Sequence, residues 1–186
     1  EIADLVREVR YNFNSETTKP FSWREQQLNN LTDMINDNEP ALIEVLREDL
    51  GKSEFESVMA DTGFLLSEIK HAKRHMRSWA KSVSVHTPLA HIPASCKIVP
   101  EPLGVVLIIG PWNYPIQLIL APVVSAIAAG NCVIIKPSEM AEKTSSLLAK
   151  LIPRYLDSDC IKIVEGDATT TQELLKQKFD HIFFTG

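Results

Sequence analysis

The chain has 186 residues, 45% hydrophobic and 23% charged, the balance of a soluble globular protein with one good-sized domain or two small ones. A net charge of −5 leaves no basic surplus to neutralise phosphates, which argues against a nucleic-acid binder. Cys96, Cys132 and Cys160 are odd in number and form no CxxC pair, so they read as free thiols in a reducing compartment, and a cytoplasmic location is expected.

Residues 1–81 read as helices. Ile2, Leu5, Val6 and Val9 recur at helical spacing, and Lys19-Pro20 breaks the pattern. A second helix runs from about Ser22, with Leu28, Leu31 and Ile35 on one face. Pro40 suits the first position of a further helix, which Gly51 stops. Ser53-Glu54-Phe55-Glu56 is a capping-box pattern that opens a long helix. Its predicted buried side carries Val58, Met59, Leu65, Leu66, Ile69, Met76 and Trp79. Residues 82–103 change character: Pro88, Pro93, Pro100 and Pro102 punctuate extended pieces, as in a segment crossing from a helical part to an α/β part. Pro111, Asn113, Pro115, Gln117 and Pro122 interrupt the most apolar region, so no run reaches transmembrane length. The first residues do not form a signal peptide.

From Val105 onward the rhythm is strand, helix, strand. Apolar runs at 105–109, 132–135, 161–164 and 181–184 alternate with helical patterns near 115–129, 139–152 and 169–177. Such alternation predicts an α/β fold: a parallel, doubly wound sheet with right-handed crossovers over residues 104–186. The segments after each strand then share one edge, where ligands of open parallel sheets bind. That edge collects Asn113, Lys136, Ser138, Glu139, Gly166, Asp167 and Gly186. A sheet ending at 181–184 would also leave an apolar edge strand exposed.

Each of these residues has a functional and a structural reading. Asn113 carries an uncharged amide that can donate to an oxyanion, or it caps the helix beginning near Pro115. Lys136 and Glu139, three residues apart, suit the hydroxyl groups of a ribose, or form a surface ion pair with Ser138 as a helix cap. An acid at a ribose also disfavours a 2′-phosphate. Gly166 and Gly186 permit close backbone approach to a ligand, or simply serve turns. No G-x-G-x-x-G is present, so the usual dinucleotide fingerprint is missing. His71 and His75 lie four apart, but Lys73 and Arg74 between them favour a solvated face over a metal site. Cys132 opens a buried strand and reads as core, and Trp23 and Trp79 read as helix packing.

Taken together, Gly-Pro-Trp-Asn-Tyr-Pro at 110–115, Ala-Ala-Gly-Asn-Cys-Val-Ile-Ile-Lys-Pro-Ser-Glu at 128–139 and Phe-Phe-Thr-Gly at 183–186 resemble the aldehyde dehydrogenase superfamily. The likeness is closest to its class 3 and fatty-aldehyde branch, and it runs the length of the chain. This resemblance implies NAD(P)+-dependent oxidation of aldehydes, medium- or long-chain aliphatic or aromatic, to carboxylic acids through a cysteine thioester. It implies that Asn113 is the side-chain oxyanion donor and that Lys136 and Glu139 hold the adenosine ribose. Pro111 and Trp112 would line the coenzyme cleft, with Ser138 beside them. Gly166 would pack close to the adenosine, and Gly186 would open the turn that contacts the pyrophosphate. NAD+ is favoured over NADP+ by Glu139. The family's fold is a doubly wound variant without the usual fingerprint.

None of Cys96, Cys132 and Cys160 matches the family's nucleophile, whose position, like that of the glutamate base, falls beyond residue 186. The chain therefore reads as the N-terminal part of an enzyme. Other readings are a truncated nucleotide-binding or subunit-interaction protein, and a CoA-acylating or phosphate-reducing relative. A homodimer is implied, with membrane association only through an anchor beyond residue 186.

Overall fold

The computed structural model describes residues 1–186. Helices α1 (Ile2–Asn14) and α2 (Phe21–Leu50) part at Lys19-Pro20, as the sequence predicts. The expected new start at Pro40 is not found. Helix α2 continues for 30 residues with Pro40 inside it. Proline withholds the donor for the Asn36 carbonyl, but Asn36 and Pro40 both face solvent, where water can serve instead. Met34, Ile35, Leu42 and Leu46 on the opposite side are fully buried and hold the helix through the proline.

The Ser53 hydroxyl accepts from the Glu56 N–H at 3.2 Å, the serine half of the capping box that the sequence implies. The helix that follows is not uniform. It comprises α3 (Glu54–Glu56), a π-helical segment (Ser57–Thr62) and α4 (Gly63–Trp79). The Gly63 N–H closes the π turn on the Val58 carbonyl, and a β-carbon at position 63 would lie 2.7 Å from that oxygen. Only glycine fits there. The wider turn resets the inward face, so Ser57, Asp61 and Thr62 are buried while Met59 is 63% exposed. Constant helical spacing therefore fails for Met59. It fails also for Trp79, the last residue of the helix, which is half exposed although Met76 in the same turn is buried, and which stacks on His75 with ring centroids 5.8 Å apart.

Residues 82–103 contain a short antiparallel hairpin, β1 (Val83–Val85) with β2 (Cys96–Ile98). The main sheet is parallel: β3 (Val105–Ile109), β4 (Cys132–Lys136), β5 (Ile161–Ile163) and β6 (His181–Phe184), in the order β5-β4-β3-β6. Its crossovers are α5 (Gln117–Ala129), α6 (Glu142–Tyr155) and α7 (Ala168–Leu175). The chain steps outward from β3 to β5 and then returns past β3 to β6. Right-handed crossovers put α5 and α6 on one face and α7 on the other, which is the doubly wound α/β arrangement.

Helix α1 packs with α7 against the second face, while α2 and α4 form a further layer over α5 and α6. Every residue of β3 and β4 is buried, because both faces are covered. Strand β6 is the exposed apolar edge that the sequence predicts, with Ile182, Phe183 and Phe184 open to solvent. No helix is long and apolar enough to cross a membrane.

Candidate functional site

Parallel pairing aligns the carboxyl ends of β3, β4 and β6, and a cleft of about 610 Å³ opens there. After β3 it is lined by Pro111, Trp112 and Asn113. After β4 it is lined by Lys136, Ser138 and Glu139, and after β6 by Gly186. Gly166 and Asp167, expected at the same edge, fall outside this lining. Gly166 follows β5. It lies on the far side of β4, where a β-carbon would meet the Thr170 hydroxyl at 2.2 Å.

The segment 110–116 belongs to no helix or strand. The Gly110 N–H donates to the Lys136 carbonyl at 3.1 Å, but residues 111–116 donate no hydrogen bond within the chain. The carboxamide of Asn113 is exposed and has no partner of its own. It does not cap α5. That role falls to Asp61, whose Oδ1 accepts from the Gln117 N–H at 3.0 Å. Helix α5 accordingly begins at Gln117 rather than near Pro115.

Lys136 ends β4 almost wholly buried while Glu139 is half exposed, so the ion pair they form is buried at its lysine end only. Its ammonium donates to the Pro137 carbonyl at 2.6 Å and to Glu139 Oε2 at 3.2 Å, which leaves one N–H for a further acceptor. The Glu139 carboxyl is held below its ordinary range by its own backbone N–H and, next, by Lys136, against burial and the nearby Asp167. An ionised acceptor beside a cationic donor matches the paired hydroxyls of a ribose. Ser138 accepts from the Met140 N–H at 3.3 Å, a local turn rather than a helix cap, and α6 starts four residues later at Glu142.

The cysteines lie apart from this cleft. Cys132 and Cys160 are fully buried, and the Cys160 thiol is raised by its contact with Cys132 and then by burial. Cys96 is exposed on β2. His71 and His75 sit on an exposed helical face with ring centroids 4.3 Å apart, and His75 Nδ1 lies 2.9 Å from the His71 carbonyl.

The sequence profile of the aldehyde dehydrogenase family matches residues 1–186. The chain belongs to this family. It is 45% identical over 186 residues to aldehyde dehydrogenase family 3 member H1 of Arabidopsis thaliana, covering all of this chain and 38% of that protein. It is 43% identical to a canine protein named "Aldehyde dehydrogenase, dimeric NADP-preferring", again over all of this chain and 41% of that one. A substrate-bound structure of Staphylococcus aureus AldH superposes with a TM-score of 0.95 at 38% identity, covering 99% of this chain and 40% of the other. The chain thus spans about two-fifths of the length of these relatives.

This aldehyde dehydrogenase sequence also holds a feature that its motifs did not announce. Lys52 and Asp61 form an ion pair at 2.9 Å, with side chains 6% and 0% exposed. The Lys52 ammonium lies 3.8 Å from the centroid of the Tyr114 ring. The only sign in the sequence is an acid in phase with Leu65 and Ile69, where an apolar residue is expected. Thr171 and Gln172 of α7 also line the cleft, and nothing in the sequence distinguishes them from any exposed helical polar residue.

Proposed function

We propose that this chain forms the adenosine-binding side and the oxyanion donor of an NAD(P)+-dependent enzyme that oxidises aldehydes to carboxylic acids. The observation that carries the reading is Asn113, a free carboxamide in the cleft, released from capping duty by Asp61. As a carbonyl oxygen gains charge during attack by a thiolate, two amide N–H donors can stabilise it without the desolvation penalty of a charged residue. Lys136 and Glu139 suit the adenosine ribose of the coenzyme, whose nicotinamide supplies the oxidising power when bound. Pro111 and Trp112 wall the same cleft, and Gly186 allows backbone to approach a phosphate. The buried Cys132 and Cys160 and the remote Cys96 are unsuited to nucleophilic attack, so the thiolate is assigned to another part of the complete polypeptide.

Glu139 inclines the site toward NAD+, because a second negative group at the ribose would repel a 2′-phosphate. The canine relative's name points the other way for that protein, so the ratio of kcat/KM for the two coenzymes is the deciding measurement. Medium- or long-chain aliphatic and aromatic aldehydes are the proposed substrates. A homodimer is the proposed assembly, supported by the same relative's name.

The test is Asn113→Ala in the polypeptide expressed from its complete coding sequence, with aldehyde-dependent formation of NADH as the readout. Turnover is expected to fall by about 10²–10³, with coenzyme affinity retained. Unchanged turnover would remove Asn113 from the chemistry.

A further inference from the structure

The buried pair Lys52–Asp61 asks for a reason beyond stability. Two charges taken out of water carry a desolvation penalty that their attraction rarely exceeds by much. Capping a helix needs only a neutral acceptor, and serine, threonine or asparagine would serve at position 61. The caps of α6 and α7, Asp49 and Asp167, keep contact with solvent and need no buried cation.

What the pair does is fix the chain at two points around Asn113. One carboxylate oxygen of Asp61 holds the Gln117 N–H at 3.0 Å, and the other holds the Lys52 ammonium at 2.9 Å. That ammonium sits against the face of Tyr114, the residue next to Asn113. Residues 111–116 donate no hydrogen bond, and only the Tyr114 and Ile116 carbonyls accept one, from the Leu118 and Leu120 N–H groups at 3.0 and 2.9 Å, so nothing in the backbone holds Pro111, Trp112 and Asn113. Pro115 and Ile116 are buried, so the segment is anchored on its helix side while Trp112 and Asn113 stand exposed. The π turn that carries Asp61, held open by Gly63, lies against α5.

We infer that Lys52 and Asp61 are positioning residues for Asn113: the buried ion pair, through Tyr114 and Gln117, holds the donor segment in one place while a reacting oxygen gains charge. The inference rests on the oxyanion reading of Asn113. Preorganised donors need no rearrangement during reaction, and a displacement of about 1 Å can cost about a hundredfold in rate.

The experiment uses the polypeptide from the complete coding sequence and compares wild type with Asp61→Asn, Tyr114→Leu, Asn113→Ala and the double variant Asp61→Asn/Asn113→Ala. Asp61→Asn keeps an acceptor for Gln117 and removes the partner of Lys52. It is expected to lower kcat by about tenfold or more, with aldehyde KM and NAD+ affinity within about twofold of wild type. In the Asn113→Ala background the same substitution should cost no further turnover. A folded Asp61→Asn variant with wild-type kcat overturns the inference, as does a loss of equal size in the Asn113→Ala background. Should Asp61→Asn fail to fold, Tyr114→Leu leaves the ion pair in place and removes its contact with the segment. It is expected to lower kcat by about threefold, again only when Asn113 is present, and an unchanged kcat overturns the inference. If Asn113→Ala itself turns over normally, the oxyanion reading falls and takes this inference with it. If Asn113→Ala is impaired and the Asp61→Asn variant is not, the inference alone falls.

Discussion

Helices α5 and α6 take their N-terminal caps from a different layer of the molecule, whereas α7 supplies its own. Asp61 reaches the Gln117 N–H at the start of α5. Asp49, near the end of α2, accepts from the Lys143 N–H at 3.2 Å and from the Thr144 N–H and hydroxyl at 2.8 Å each, at the start of α6. Asp167 accepts from Thr169 and Thr170, two and three residues ahead, at 2.9 and 3.1 Å. All three place an acid at the positive end of a helix dipole. The remote caps do more. They tie the outer helical layer to the helices that follow β3 and β4, Asp61 at residue 117 beside the cleft and Asp49 at residues 143–144. The local cap fixes only its own helix.

The comparison predicts unequal costs. Asp61→Ala should be the largest, about 3–5 kcal/mol, because it strands the Lys52 ammonium without a partner in addition to uncapping α5. Urea unfolding of the variant checks it. A cost near 1 kcal/mol would mean that water reaches Lys52 and that the outer layer is only loosely coupled to α5. Asp49→Ala removes a cap from a half-buried site with no ion pair, and about 1–2 kcal/mol is expected by the same measurement. Equal losses for the two variants would erase the distinction between a charged clamp and a simple cap.

How far the sequence exposes these features follows from their range. Val105–Ile109 and Cys132–Lys136 are legible because unbroken apolar runs rich in β-branched residues have few other uses, and the structure buries every one of these residues. The alternation of strands and helices then fixes a shared carboxyl edge, which is why Asn113, Lys136 and Glu139 meet in one cleft. The resemblance to aldehyde dehydrogenases implies roles for those residues that spacing alone leaves open. Asp61 is 56 residues from Gln117, and Asp49 is 95 residues from Thr144, distances no local pattern spans. The π turn is equally hidden. A period of 3.6 residues predicts Met59 inside, and only the crowding at Gly63 betrays the wider turn. Pro40 misleads for the opposite reason: its meaning depends on facing solvent, which the sequence does not state.

The smallest effect belongs to the local cap, and it has a definite dependence on pH. The Asp167 carboxyl is held below its ordinary value mainly by the Thr170 N–H, with further help from Thr169. A carboxyl depressed in the folded state adds stability that is fully present above its unfolded value, about 3.9, and is lost as pH falls through the folded value. Asp167→Asn retains an acceptor for both N–H groups but not the charge. The variant should therefore unfold at a slightly lower urea concentration than wild type at about pH 7, and the two midpoints should converge as the pH falls through the depressed folded value of Asp167. A gap that persists in acid would show that Asp167 acts through something other than its charge. A gap as large as that for Asp49 at neutral pH would show that an exposed cap can couple as strongly as one set between layers.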